Sequence, residues 1–356
     1  MSFSNKNDLM NKRFILYCIL TFVSHLCFAQ SKEVWSITLL KQQKLKKWAV
    51  PGANYSGIAW LGGDSYAVVS DKEYKDGFYM FDIVLDANTG HVQNVVRKEF
   101  RGKNVTSTDA NGVSLRDAEG IAFDGSDKKV YISGEGDQRI IEYSSNGAET
   151  GRELIVPPSF NVSYIYPNYG FEALTFSAKD NLLWTVTEHT LKADGSKSSW
   201  QNPQGCLLRL LSFGTDMQLK RQYTYMTDSP MAKKPGRNYA FGVPSLCALR
   251  DGSLLVLERE FHVASSYLGS FVRCKIYRVV PNLSTSTTEV LHKELVADFT
   301  TKFNLFEQSL ANYEGMCLGP QLADGSQTLL LISDSQNNAG NRFYRLKDYI
   351  KVIVIK

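Results

Sequence analysis

The sequence predicts an all-β chain folded as a β-propeller. Three observations carry this reading: a pattern of short strands repeated five times, turns built from Gly, Asp and Asn, and no stretch of sustained helical periodicity. Antiparallel sheets of short strands repeated around an axis close into a propeller. Residues 31–356 are expected to form this single domain, behind a signal peptide at 1–30.

The chain begins with Asn11-Lys12-Arg13 ahead of an apolar core from Phe14 to Val23, followed by small Ala29. A basic start, an apolar core too short to span a bilayer comfortably and a small residue form an export signal, with cleavage near Ala29 or Gln30. His25-Leu26 before Cys27 lack the small residues of a lipidation signal. The expectation is therefore an exported, periplasmic or extracellular monomer with no membrane segment after cleavage. Cys206, Cys247, Cys274 and Cys317 remain, which permits disulfides in three pairings. Cys247 and Cys317 fall at equivalent inner positions of the repeat, alongside Ala59, Ala122 and Thr175, and read as small packing residues.

The five units follow in order. Ser56-Gly57-Ile58-Ala59-Trp60 precedes Ser65–Asp71 and Gly77–Asp82, and Glu119–Phe123 precedes Lys129–Glu135 and Arg139–Tyr143. Glu172–Phe176 precedes Leu182–Glu188 and Leu207–Leu210, and Pro244–Leu249 precedes Ser253–Arg259 and Ile276–Val279. The last unit is Glu314–Leu318, Leu329–Asp334 and Phe343–Leu346. Successive units lie about 50 to 70 residues apart, longer than a minimal propeller blade. Hairpin turns fall at Gly62-Gly63-Asp64, Asp124-Gly125, Lys179-Asp180-Asn181, Asp251-Gly252 and Asp324-Gly325, residue types that tolerate positive φ. Trp35–Leu40 and Val352–Ile355 either pair to close the ring or form part of a sixth blade, so five or six blades fit. The inserts at 101–117, 190–204, 228–242 and 261–272 are expected to be loops around one opening.

Antiparallel pairing brings the start of each first strand and the end of each second strand to one face. Asp71, Glu119, Glu135, Glu172, Glu188, Glu258, Glu314 and Asp334 would then share one rim. Such crowding calls for a cation or raised pKa values, and hard oxygen ligands from several strands suit Ca²⁺. Leu254–Leu257 ends on Glu258-Arg259, a pair that taken alone reads as a salt bridge closing a strand end. There is no Gly-x-Ser-x-Gly elbow, no phosphate-binding Gly loop and no zinc-type Cys spacing. The net charge of +4, scattered among acids, gives no reason to expect nucleic acid.

The order of these motifs resembles the phytase-like family described as having esterase-like activity, found largely in exported bacterial proteins. The residues that carry the resemblance run from Ser56-Gly57-Ile58 and Val69-Ser70-Asp71 through Asp117–Ile121 and Asn168–Leu174. They continue through Leu255–Arg259 and Asn312–Met316 to Ser333–Asn337. The resemblance implies a propeller and metal-dependent phosphoester or ester hydrolysis. Asp334-Ser335-Gln336-Asn337 departs from the Asp-Asp-Asn or Asp-Asn-Asn of family members, which weakens a metal site in the fifth unit.

The candidate site follows. Glu258, Arg259, Glu135 and Glu188 are the catalytic candidates, and Arg139, His189 and Lys72 the substrate-binding ones. Asp71, Glu119, Glu172, Glu314 and Asp334 are the candidate Ca²⁺ ligands. The leading reading is an exported hydrolase of small phosphoesters or carboxylic esters. A non-catalytic propeller binding a ligand or partner over structural Ca²⁺, and a sugar-lactone hydrolase, fit the same acids.

Overall fold

The computed structural model describes residues 35–104, 116–281, 288–336, 338–340 and 344–356, so the expected signal segment lies outside the described residues. Five antiparallel sheets form five blades. Blade 1 holds Tyr55–Gly62, Ser65–Ser70, Lys75–Leu85 and Val92–Asn104. Blade 2 holds Ala118–Asp124, Lys129–Gly134, Ile140–Ser144 and Glu149–Glu153. Blade 3 holds Phe171–Ser177, Leu182–Thr187, Leu207–Gly214 and Leu219–Met226. Blade 4 holds Gly236–Ala248, Leu254–Ala264, Ser270–Val279 and Lys293–Phe303. Blade 5 holds Asn312–Gln321, Gln327–Asp334 and Tyr349–Ile355, completed by Ile37–Leu39 and Gln43–Lys44 from the other end of the chain.

The ring therefore closes by pairing Ile37 with Ile355 and Leu39 with Ile353, which removes an open sheet edge. The first strands neighbour one another in chain order, and that of blade 5 returns to that of blade 1. This settles the count at five. It also corrects the last unit: Tyr349–Ile355 is its third strand, whereas Tyr344 and Leu346 lie outside any strand. Two inserts are corrected as well, because 236–242 and 261–264 extend the first hairpin of blade 4. Their backbone pairing continues the ladder, with Tyr239 opposite His262. Residues 105–115 of the first insert fall outside the described residues, and 190–204 form no strand.

Aliphatic second strands are buried on both faces and fill the gaps between blades. Val68, Ile58, Leu330, Ile332 and Val352 join blades 1 and 5, and Ala67, Val69, Val130 and Ile132 join blades 1 and 2. Cys206, Cys247, Cys274 and Cys317 are all buried and unbridged. A second array of apolar side chains, including Ile58, Ile121, Leu174 and Met316, lines a smaller axial cavity of about 130 Å³.

Each first strand also shifts register, near its start or, in blade 4, midway along: between Tyr55 and Gly57, Ala118 and Ile121, Phe171 and Ala173, Gly242 and Ser245, and Tyr313 and Gly315. Bulges of this kind re-aim a side chain out of strict alternation. Gly120 is required there. A Cβ on it would sit 2.0 Å from the Glu172 carbonyl oxygen of the next blade, so only a glycine lets the two bulges touch.

Candidate functional site

The ladder fixes which residues are equivalent. Ile58 pairs with Val68, Ile121 with Ile132, Leu174 with Thr185, Leu246 with Val256 and Met316 with Leu331. Two residues before the first-strand member stand Ser56, Glu119, Glu172, Pro244 and Glu314, at the bulges. Three residues after the second-strand member stand Asp71, Glu135, Glu188, Arg259 and Asp334. Blade 4 thus interrupts the acid ring twice, with a proline and with a cation.

These positions converge. Asp71, Asp117, Glu119, Glu135, Glu172, Glu188, Glu314 and Asp334 line one cavity of about 650 Å³, together with Lys72 and Arg259. Seven of the eight expected acids are there, and Asp117 takes the place of Glu258. Glu258 lies one residue before the ring position, so strand alternation turns it away from the mouth. It is buried beside the outer strands, where it accepts from Tyr225 Oη at 2.6 Å, Asp228 N at 3.0 Å and Lys293 Nζ at 2.6 Å. It is a satisfied structural carboxylate, which corrects its expected catalytic role. Nor does it pair with Arg259.

Arg259 is 3% exposed and sits among the ring acids. Its Nη2 donates to Glu188, and its Nη1 donates to Asn312 Oδ1 at 2.8 Å and Glu314 Oε1 at 3.3 Å. Both terminal nitrogens are therefore engaged, and Arg259 serves as an internal counter-ion. Glu314 also accepts from Asn312 Nδ2 at 2.7 Å. Even so, burial pushes the Glu314 carboxyl up to about 8, with Arg259 pulling it back and Asp71 and Glu188 adding to the rise.

On the opposite side the acids lack such an arginine. One ligand oxygen each of Asp71, Asp117 and Glu119 lies within 4.8 Å of the others. Lys72 Nζ bridges Asp71 at 2.8 Å and Asp117 at 3.0 Å, while its stem remains partly exposed. The buried Asp71 Oδ1 has no hydrogen-bond partner. Burial, then the neighbouring acids, hold Glu119, Glu172 and Asp334 well above the ordinary carboxylate range. Glu135 accepts from Gly170 N at 2.9 Å and is pushed up to about 7, chiefly by burial, against that hydrogen bond.

Two expected binding residues lie elsewhere. Arg139 projects into solvent and pairs with Glu153 at 2.5 Å, because strand three of blade 2 begins away from the axis. His189 is buried behind the rim, where it accepts from Ser198 N at 3.1 Å and meets Cys206 Sγ at 3.1 Å. Burial lowers its pKa to about 4, so it is neutral. Cations that do line the opening are Lys197, over the Tyr169 ring at 4.4 Å, and Arg237, over the Tyr267 ring at 4.7 Å. Both come from inserts expected around the opening. Asp117 lies two residues past the 105–115 stretch and was visible in sequence only as part of the Asp117-Ala118-Glu119 motif.

An all-β ring with a carboxylate-lined axial mouth defines the class: a five-bladed propeller with a polar central site. A sequence profile for the phytase-like family, described as esterase-like activity of phytase, matches residues 51–338, and the chain belongs to that family. No curated protein matches the chain. Among solved structures it is similar to an endo-arabinase from Bacteroides thetaiotaomicron, at 9% identity and a TM-score of 0.46 over 86% of this chain and 95% of that one. It is also similar to a luciferin-regenerating enzyme, at 15% identity and a TM-score of 0.41 over 88% and 95% of the two chains. A third similarity is to the catalytic domain of the Coprinopsis cinerea GH62 α-L-arabinofuranosidase, at 11% identity and a TM-score of 0.39 over 90% and 96%.

Proposed function

We propose that this chain is an exported, cation-dependent hydrolase of small phosphoesters or carboxylic esters, acting at the acidic mouth. The observation that carries the reading is the convergence of eight carboxylates on one cavity of about 650 Å³. Asp71, Asp117 and Glu119 are the residues that would hold Ca²⁺, and the unpartnered buried oxygen of Asp71 fits a hard cation. When bound, the cation would polarise the ester and favour deprotonation of water.

The chain's own groups have distinct parts. Glu135, with a carboxyl near neutrality, is suited to take a proton from water at the mouth. Lys72, Lys197 and Arg237 face an anionic substrate from the rim. Arg259 holds Glu188 and Glu314 in place beside the reacting end. The signal-like residues 11–30 support export, into compartments where Ca²⁺ is plentiful.

A second reading has its own support. The Arg259–Glu188–Glu314 knot would brace a non-catalytic binding propeller equally well. A screen with aryl phosphate, aryl acetate, phytate and lactone substrates, each with Ca²⁺ and with chelator, separates the two. Chelator-sensitive turnover of an ester that falls at least 100-fold in Glu135→Gln is expected. Turnover that ignores both chelator and Glu135→Gln would sink the assignment, and Ca²⁺ binding with no turnover of any substrate would favour the binding propeller.

A further inference from the structure

The loop that joins blade 4 to blade 5 carries the most exposed large apolar side chains among the described residues. Phe306 is 99% exposed and Leu305 78%. Such a pair contributes no burial to the fold, because its apolar surface stays in water. The tip is held all the same. Asn304 N donates to Glu307 O at 2.8 Å, and Asn304 Oδ1 accepts from Phe306 N and Glu307 N, each at 2.8 Å. Side-chain bonds of this kind fix a turn, so the two side chains are presented outward in one arrangement. Glu307, the only acid of the loop, accepts from Ser309 Oγ.

Unpaired positive charge lies behind the tip. Gln42 Nε2 donates to Ser309 O at 2.7 Å, and Phe303 meets Tyr344 edge-on at 5.0 Å. These contacts tie the loop to segments 41–47 and 344–347, which supply Lys41, Lys44, Lys46, Lys47, Arg345 and Lys347. Five of the six are exposed and Lys347 is half-buried, and among the described residues none of them is ion-paired to an acid. Partial burial, then Lys44, Arg345 and Lys46, pull the Lys347 ammonium below the ordinary lysine range. The first and third strands of a blade run the same way, so the approaches to Asn312 and to Tyr349 emerge together on the mouth side.

We propose that this face docks the protein onto an anionic lipid surface, with Leu305 and Phe306 entering the headgroup layer and the lysines meeting lipid phosphates. The cluster of cations selects an anionic partner. The apolar tip then selects among anionic partners, because a soluble polyanion would pair with the lysines and leave Phe306 in water. A lipid interface takes both, since apolar insertion and attraction to anionic headgroups add. The contact lies on the bilayer without crossing it, and no helix among the described residues is long and apolar enough to span one. The inference goes beyond the reaction proposed for the mouth and does not depend on it.

The test is co-sedimentation of the purified protein with vesicles in chelator, so that Ca²⁺ cannot bridge protein and lipid. Vesicles of mixed phosphatidylglycerol and phosphatidylcholine should bind about tenfold or more tightly than phosphatidylcholine alone. Raising the salt should weaken that binding several-fold. The double variant Leu305→Ser/Phe306→Ser changes only exposed side chains and should cut it about tenfold. Lys44→Gln/Lys347→Gln should cut it by a similar factor. Dextran sulfate serves as the soluble polyanion. No binding to the anionic vesicles, equal binding to both vesicle types, or parent-strength binding by either double variant overturns the proposal. Dextran sulfate binding that matches the vesicles and ignores Leu305→Ser/Phe306→Ser assigns the face to a soluble polyanion and overturns it as well.

Discussion

Arg259→Gln is the most informative single change. It removes the cation while keeping a polar side chain, and it leaves the buried Glu188 and Glu314 facing each other with only Asn312 as donor. Breaking a buried ion pair by deleting one partner is destabilising by about 3–5 kcal/mol. That is a large share of the roughly 5–15 kcal/mol that holds an ordinary domain folded. With a urea m-value of about 3 kcal/mol/M, the midpoint should fall by at least about 1 M. The assay is equilibrium unfolding in urea at pH 7.5, with chelator and then with Ca²⁺. Loss in chelator and part recovery with Ca²⁺ are expected, because a cation among the ring acids then replaces part of the lost charge. A variant whose midpoint in chelator matches the parent would refute the counter-ion role.

Three other outcomes follow from the same geometry. Lys72→Met removes the ammonium that bridges Asp71 and Asp117, so Ca²⁺ affinity should rise several-fold by calorimetry. In chelator the protein should lose stability as pH rises from about 4.5 to about 8. Glu135 and Glu314 are raised to about 7 and about 8, so in that window the folded state binds more protons than the unfolded one; thermal melts across pH check it. Glu258→Gln should lower the melting temperature, because the Lys293 ammonium and the Asp228 backbone N–H lose a charged acceptor, while the Ca²⁺ stoichiometry stays at the parent value.

Much of the architecture is legible in the residues, and the failures have one origin. Short apolar runs and Gly/Asp turns are local signals, so the strands and the shared face of their ends could be read directly. The register of an acid against its ring is not local. Leu257-Glu258-Arg259 reads like Val186-Thr187-Glu188 shifted by one, and only the pairing of Leu246 with Val256 reveals that Arg259 occupies the ring position. Arg139 and His189 fail for a related reason, since proximity in sequence to a ring acid says nothing about which way a loop residue turns. The long hairpin of blade 4 was hidden because Gly236, Pro235 and Gly242 break its apolar alternation.

The same blade explains how a repeat becomes a site. Five equivalent blades with five equivalent acids would create a symmetric negative ring, able to trap cations but unable to orient a substrate. Blade 4 departs three times, with Pro244 at the bulge, Arg259 at the ring and a hairpin that rises past the rim to carry Arg237 and Phe261. The arginine pairs with Glu188 and Glu314 on the near side, which leaves Asp71, Asp117 and Glu119 on blades 1 and 2, bridged only by the partly exposed Lys72, as the place where a further cation gains most. That asymmetry of charge, rather than the number of acids, would orient a ligand across the mouth.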